Sequence, residues 1–260
     1  MYAAGLKVES AKGECNLGQH EIAFRYEDVL RSCDNHVIYK NAAKEIAAKH
    51  GQSLTFMAKY DEREGNSCHI HLSLRGLDGG TVFADDAREG GHSPLFDHFL
   101  AGVQATLREL TYFYAPNINS YKRFQPGSFA PTAIAWGRDN RTCALRVVGH
   151  GSGLRVENRV PGGDVNPYLA VAAMLAGGLH GIREGLPLEP RFDGNAYASD
   201  KARVPTTLVE ARELLLGSSV ARAAFGDEVV EHYAHAAQVE VDAFNRAVTD
   251  WELIRGFERL

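Results

Sequence analysis

The 260-residue chain has no run approaching the ~18 consecutive apolar residues of a membrane-spanning helix. Its four cysteines, Cys15, Cys33, Cys68 and Cys143, stand far apart and form no C-x-x-C pair. That excludes a zinc knuckle and a disulfide framework, and reads as reduced thiols in a cytosol. A basic excess is lacking too. With 28 Lys and Arg against 33 Asp and Glu, the net charge is −5, so nothing marks a nucleic-acid partner. The first 25 residues carry Glu9, Glu14 and Glu21 and no apolar core, unlike a signal peptide. Repeats, low-complexity tracts and evident linkers are missing as well. The length then suits one large domain, or one with a small appendage, in a cytoplasmic protein that contacts neither membrane nor nucleic acid.

What is present reads as α+β. Val8 to Ser10 opens a short strand. Tyr26 to His50 predicts a helix, because Val29, Leu30, Val37, Ile38, Ala42, Ile46 and Ala47 follow a helical period and Gly51 stops it. Leu54 to Ala58 and Cys68 to Arg75 are strand candidates. Pro94 to Tyr114 predicts a second helix with Leu95, Phe99, Val103, Leu107 and Leu110 on one stripe. Ser120 to Arg159 alternates loops with short strands. Asn166-Pro167 caps a helix of small residues, Tyr168 to Arg183, which must pack closely against something. From Leu208 onward the chain is helical, interrupted near Gly217 and Gly226. Strands and helices do not alternate regularly, which favours an antiparallel sheet with helices over a doubly wound one.

Chemistry concentrates in a few stretches. In "GNSCHIHLS", strand alternation sets His69, His71 and Ser73 on one face and Ile70, Leu72 and Leu74 on the other. In "RVENRV", Arg155, Glu157 and Arg159 likewise share a face. "GECNLGQHE" holds Glu14 and Glu21 around Gly18. Carboxylates and imidazoles suit hard or borderline divalent cations, and guanidinium forks grip carboxylates and phosphates. Each stretch alone also reads as ordinary structure, since surface ion-pair ladders are common and stabilise by only ~0–1 kcal/mol. "YKRFQPG" and "DNRTCALR" add Arg123, Arg141 and Arg146 among the rigid Pro126, Gly127 and Pro131.

Read together and in order, "VESAKGECNLGQHEI", "TFMAKYDEREGNSCHIHLS", "NSYKRFQPGSFAP", "DNRTCALRV" and "RVENRVPGGDVNPYLAVAAMLAGGLHGI" resemble the catalytic domain of the glutamine synthetase family. The resemblance implies a curved antiparallel sheet with flanking helices, and subunits assembled into homo-oligomeric rings. It implies ATP and two Mg²⁺ or Mn²⁺ ions as cofactors, with glutamate and an amine as substrates. ATP phosphorylates the γ-carboxylate of glutamate, and an amine then displaces phosphate, so the site must neutralise two anions as they meet. Carried over by motif, Glu14 and Glu21 resemble ligands of one metal, and His69 and Glu157 of the other. Arg123 and Arg159 match the arginines that hold glutamate's carboxylates, with Gly65 alongside. Arg141 matches the arginine that meets the transferring phosphate. Glu9, His71, Ser73, Arg146 and Arg155 match nucleotide contacts. Arg141 and Arg146 are five apart, so simple strand alternation sends them opposite ways unless the chain bends.

Two departures stand out. The amide-forming enzymes carry a Pro-Gly-Tyr-Glu-Ala-Pro loop whose glutamate helps deprotonate ammonium. Here that loop is Pro126-Gly127-Ser128-Phe129-Ala130-Pro131, and Phe129 cannot accept a proton. An aromatic ring there favours a larger, non-ammonium amine, as in the γ-glutamyl-amine ligases acting on polyamines or amino alcohols. The chain also begins after the family's β-grasp domain and the strand bearing its Glu-x-Glu pair. Residues 1–260 therefore read as an N-terminally truncated catalytic domain, with an exposed apolar sheet edge as the expected consequence. The alternatives are a glutamate–ammonia ligase proper and a catalytically inactive relative that binds nucleotide or co-assembles with intact subunits. The region around Tyr197 lacks the Leu-Tyr-Asp-Leu-Pro pattern of adenylylated family members, so that regulation is not expected.

Overall fold

The strand expected at Val8 continues into a hairpin. In the computed structural model, which describes residues 1–259, β1 (Val8–Gly13) pairs antiparallel with β2 (His20–Phe24). Gly18, at φ 69°, turns the connection, a backbone region glycine enters without strain. The first helix, α1 (Val29–Lys49), starts three residues later than expected, because the Asp28 side chain accepts the Arg31 amide and caps it. Gly51 ends it at φ 68°. The Leu54–Ala58 segment is not a strand. It finds no ladder partner, and Phe56 instead packs edge-on against Tyr39 of α1.

The second sheet carries the chemistry. β3 is shorter than its alternation implies, Ile70–Leu72 instead of Cys68–Arg75. It lies beside β6 (Arg155–Asn158), which lies beside β5 (Cys143–Val148), which lies beside β4 (Ala133–Arg138). The β3–β6 and β6–β5 pairs are antiparallel, as expected, and β4 runs parallel to β5. The Asp139–Thr142 link must therefore run back along the sheet. Asp139 takes a left-handed φ of 50°, and Asn140 Oδ1 accepts the Thr142 amide to shape the turn.

Leu145, Val147 and Val156 send their side chains into the core, which α2 (Pro94–Thr106) closes with Phe96, Phe99 and Val103. The expected Pro94–Tyr114 helix is interrupted: a tight turn follows Thr106, and helix resumes as α3 (Thr111–Tyr114). A further helical turn, α4 (Ile118–Tyr121), precedes Arg123. The small-residue helix is α5 (Pro167–Glu184), capped by the Asn166 side chain. It packs closely, as its composition requires, and its partner is α2. A Cβ on Gly102 would sit 2.5 Å from the Gly181 amide nitrogen and 2.6 Å from its Cα. α6 (Leu208–Gly217), α7 (Ser219–Phe225) and α8 (Asp227–Arg246) bundle against α3 and α5, with breaks at Gly217 and Gly226. α9 (Asp250–Arg259) ends the described chain.

Exposed apolar side chains gather on helices and not along a sheet edge. Val29, Leu30, Val37, Ile38 and Ile46 of α1 are 40–66 % exposed, and Trp251, Ile254 and Phe257 of α9 are 65–88 % exposed. The β4 edge is instead covered, with the Ile134 amide donating to Ala202 and Ala133 bridging Arg203. Among the described residues no helix is long and apolar enough to cross a membrane.

His36 of α1 gives the fold an acid sensitivity. Burial, reinforced by the neighbouring Lys40, pushes its pKa down to about 4, and its Nε2 sits 3.9 Å from Cys68 Sγ. Between about pH 6.5 and 4 the unfolded chain holds the proton the folded one refuses, so stability is lost as pH falls. Up to roughly 3 kcal/mol disappears across that window. His36→Gln should flatten the stability–pH slope between those limits in urea melts; a slope equal to wild type would refute this.

Candidate active site

Glu157 sits at the centre of the second sheet with 2 % of its side chain exposed. The pairing explains what surrounds it. His71 of β3 stands directly opposite it on one side and Arg146 of β5 on the other, so all three project from one face. Arg159 Nη1 donates to Glu157 Oε1 at 2.8 Å, and Arg146 Nη1 donates to Oε2 at 2.8 Å. His69 Nδ1 and His71 Nε2 lie 3.2 and 3.7 Å from Oε1. Burial opposes ionisation of this carboxyl, but the Arg159 and Arg146 guanidiniums, which donate to its two oxygens, outweigh it and hold Glu157 below the usual carboxylate range. Arg155 Nε donates to His71 Nδ1 at 3.1 Å, so the expected grouping of Arg155, Glu157 and Arg159 with His69 and His71 is met in space. Ser73, exposed beyond the end of β3, touches none of them.

His69 is held as a neutral imidazole, its pKa pushed down to about 3 by burial and by the charge of Arg159. Its Nε2 is buried without a hydrogen-bond partner. With Nδ1 turned to Glu157, Nε2 carries a free lone pair, the carboxylate-oriented form in which histidine ligates metals.

Glu14 and Glu21 converge at the mouth of the hairpin, as expected. The Lys12 ammonium lies between them, 2.8 Å from Glu14 Oε1 and 3.2 Å from Glu21 Oε1. A pair of carboxylates that gathers one cation fits the hard-cation preference of its oxygens. Buried Asn16 docks this hairpin onto the segment before β3, donating to Asp61 Oδ1 at 2.8 Å and to the Glu64 carbonyl at 2.9 Å. Gln19 adds bonds to the Gly65 carbonyl and to Asn66. Among the described residues no three His, Cys, Asp or Glu side chains are arranged so that they alone could hold a metal ion. Glu9, exposed on β1, stands apart from both groups.

Arg123 is 1 % exposed, and its guanidinium bonds no carboxylate. It donates to Ser67 Oγ at 2.9 Å and to the Val160 carbonyl, and its Nε has no partner. Burial pushes its pKa down to about 10. Gly65 lies against it: a Cβ there would come within 2.8 Å of Arg123 Cγ and closer still to the Ala58 carbonyl. Arg159 is also buried, and its Nε likewise lacks a partner. Two desolvated guanidiniums with unspent donors are an anion site in waiting.

Arg141 lies on the Asp139–Thr142 link and not in a strand, so alternation never governed it. It is exposed and lines a cavity of about 480 Å³ with Arg138, Asp139, Asn140, Asp193 and Gly194. Phe129 has a left-handed φ of 59° and is 57 % exposed, and its carbonyl accepts Arg159 Nη2 at 3.4 Å. Tyr197 donates to the Ala130 carbonyl at 2.8 Å and ties that loop down.

Three participants escaped the sequence reading. Asp139 pairs with Arg146 through Nε at 2.9 Å, Lys12 bridges the hairpin carboxylates, and Asp164 carries α4. All three lie within the quoted motifs, but only the three-dimensional pairing shows what they touch.

Comparison with known proteins agrees with this geometry. The family model described as "Glutamine synthetase, catalytic domain" matches residues 1–255. The chain is 66 % identical over 260 residues to gamma-glutamylethanolamide synthetase GlnA4 of Streptomyces coelicolor, covering 100 % of this chain and 56 % of that protein. It is 44 % identical to glutamate–isopropylamine ligase of a Pseudomonas species, covering 98 % of this chain and 57 % of the relative. A solved GmaS/ADP complex superposes with a TM-score of 0.91 at 32 % identity, over 99 % of this chain and 61 % of that one. The chain thus spans little more than half the length of the curated relatives it matches. On the match over residues 1–255 and the shared fold, the chain belongs to the glutamine synthetase family, as its catalytic domain.

Proposed function

We propose that residues 1–260 form one catalytic-domain unit of an ATP-dependent ligase that joins the γ-carboxylate of glutamate to an amine other than ammonia. The observation that carries the reading is the pair of buried guanidiniums, Arg123 and Arg159, beside a loop that presents Phe129 where an acid would serve ammonium. Arg123, with no carboxylate of its own, receives a carboxylate of glutamate, and Gly65 leaves room for it. Arg159 is steered by Glu157 towards the same region. Arg141, exposed on its link, meets the phosphate passing to the γ-carboxylate, and Arg146, Arg155 and His71 face the nucleotide phosphates. Glu9 and Ser73, matched by motif alone, serve the nucleotide's outer parts.

His69 Nε2, and the Glu14–Glu21 pair once Lys12 withdraws, are the donors that would hold Mg²⁺ or Mn²⁺, with Glu157 fixing the imidazole ring of His69. Metal ions held there would supply positive charge to neutralise phosphate oxygens. The amine approaches past Phe129, whose ring offers an apolar or cation–π face but takes no proton. The two named relatives are a gamma-glutamylethanolamide synthetase and a glutamate–isopropylamine ligase, and both names carry an amine with a carbon stem.

The test is phosphate release with glutamate, ATP and a panel of ethanolamine, isopropylamine, putrescine and ammonium. Rates with the carbon-bearing amines should exceed the ammonium rate. Phe129→Glu should shift the ratio towards ammonium by about tenfold or more, since a positioned base is worth ~10²-fold. A dominant ammonium rate unaffected by the other amines would overturn the substrate assignment.

A further inference from the structure

Arg123 is delivered by α4 and Arg159 by the end of β6, elements far apart in the sequence. One side chain joins them. Asp164 Oδ2 accepts the Ser120 hydroxyl at 2.6 Å and the Asn117 side-chain amide at 2.9 Å, so it grips both ends of the first turn of α4. Ser120 Oγ in turn accepts the Asn117 amide nitrogen at 3.0 Å, and the Arg123 amide donates to the Ser120 carbonyl. On its own side, Asp164 ends the Pro161–Asp164 turn that directly follows Arg159 and Val160. That turn is fixed independently: Gly162 donates to the Tyr114 carbonyl, Gly163 to Asn66, and Pro161 accepts from Cys68. Asp164 Oδ1 is buried without a partner, and a Cβ on Gly162 would stand 2.5 Å from it.

We propose that Asp164 is a positioning residue that sets the guanidinium of Arg123 relative to that of Arg159, and thereby glutamate binding. The inference rests on the reading of Arg123 and Arg159 as glutamate contacts. Two features argue for it beyond packing. Both donors fall on one oxygen of Asp164, which fixes the α4 turn in direction as well as distance. Its charge also acts on Arg123 and offsets part of that side chain's burial, so the guanidinium keeps its proton without a bonded carboxylate that would compete with substrate.

The experiment compares Asp164→Ala and Asp164→Asn in steady-state kinetics, with Arg123→Lys as a control. Asp164→Ala should raise the KM for glutamate about tenfold or more while kcat stays within about threefold, because misplacing a binding group costs affinity before chemistry. Asp164→Asn, which keeps an oxygen for the same donors, should recover most of that loss. An unchanged glutamate KM in Asp164→Ala overturns the proposal, and so does a fall in kcat that merely tracks the fraction of folded protein. Should Asp164→Ala not fold, Ser120→Ala removes one of the two bonds and should raise the glutamate KM about threefold; no rise overturns the proposal. If Arg123→Lys itself leaves the glutamate KM unchanged, the substrate-site reading has failed. If Arg123→Lys raises it and the Asp164 variants do not, the positioning role alone has failed.

Discussion

Glu157→Gln should lower the unfolding free energy by about 3 kcal/mol and abolish the proposed ligase turnover. The substitution keeps shape and volume, so no cavity is made, and the loss is one of charge. In the native protein one carboxylate serves Arg159, Arg146 and the edge of His69 while 2 % exposed. Neutralising it leaves the Arg159 guanidinium buried without a counter-charge, and removing one partner of such a pair costs ~3–5 kcal/mol. Arg146 suffers less because Asp139 still holds it. Thermal unfolding should show a drop of roughly 6–12 °C. Added phosphate should restore more stability to the variant than to wild type, because the freed guanidiniums then bind anion. An unfolding midpoint within about 1 °C of wild type, by the same scaling, would sink the account of Glu157 as the hub.

Gly102→Ala, far from that hub, is expected to cost about 3–4 kcal/mol. The new methyl meets the backbone of α5 at Gly181, and the Gly177 carbonyl closer still, and no side-chain rotation relieves a clash with backbone. α2 and α5 must move apart, which loosens every contact between them at once. Gly178 faces the same helix, with the Phe99 ring occupying the place of a Cβ. The control is Gly256→Ala on α9, where nothing lies within 4 Å of an added Cβ and helix propensity improves. Chemical denaturation should separate the two clearly. Equal midpoints would mean that α2 and α5 have slack the geometry denies.

Which parts of this site could be read in advance follows from the range of the interactions. His69, His71, Glu157 and Arg159 were legible because two-residue alternation is a local rule: His71 and Glu157 lie in β3 and β6, and His69 and Arg159 directly flank those strands. Arg141 was ambiguous for the same reason: it lies on a link, where alternation has no hold. The helices α1, α2 and α5 announced themselves by period and caps, yet the period of α1 did not foretell that its apolar face lies exposed. Periodicity reports which face is apolar and says nothing of what covers it. β4 alongside β5 was not legible at all, because a parallel neighbour reached through four residues breaks the usual need for a long crossover. Asp164 and Asn16 act on partners 44 to 48 residues away, and no local pattern encodes a hydrogen bond across such a distance.

The tether between the hairpin and the segment before β3 has one more consequence. Asn16 and Gln19 hold it through carboxamide side chains, most of whose bonds end on carbonyl oxygens. Dipolar bonds of this kind are barely screened by dissolved ions, whereas exposed charge pairs fade beyond ~8–10 Å at ordinary ionic strength. The spacing between the Glu14–Glu21 pair and His69 is thereby insulated from the salt content of the surrounding solution. Ionic strength acts on the charges the site presents to its phosphates, and leaves the frame that carries them in place.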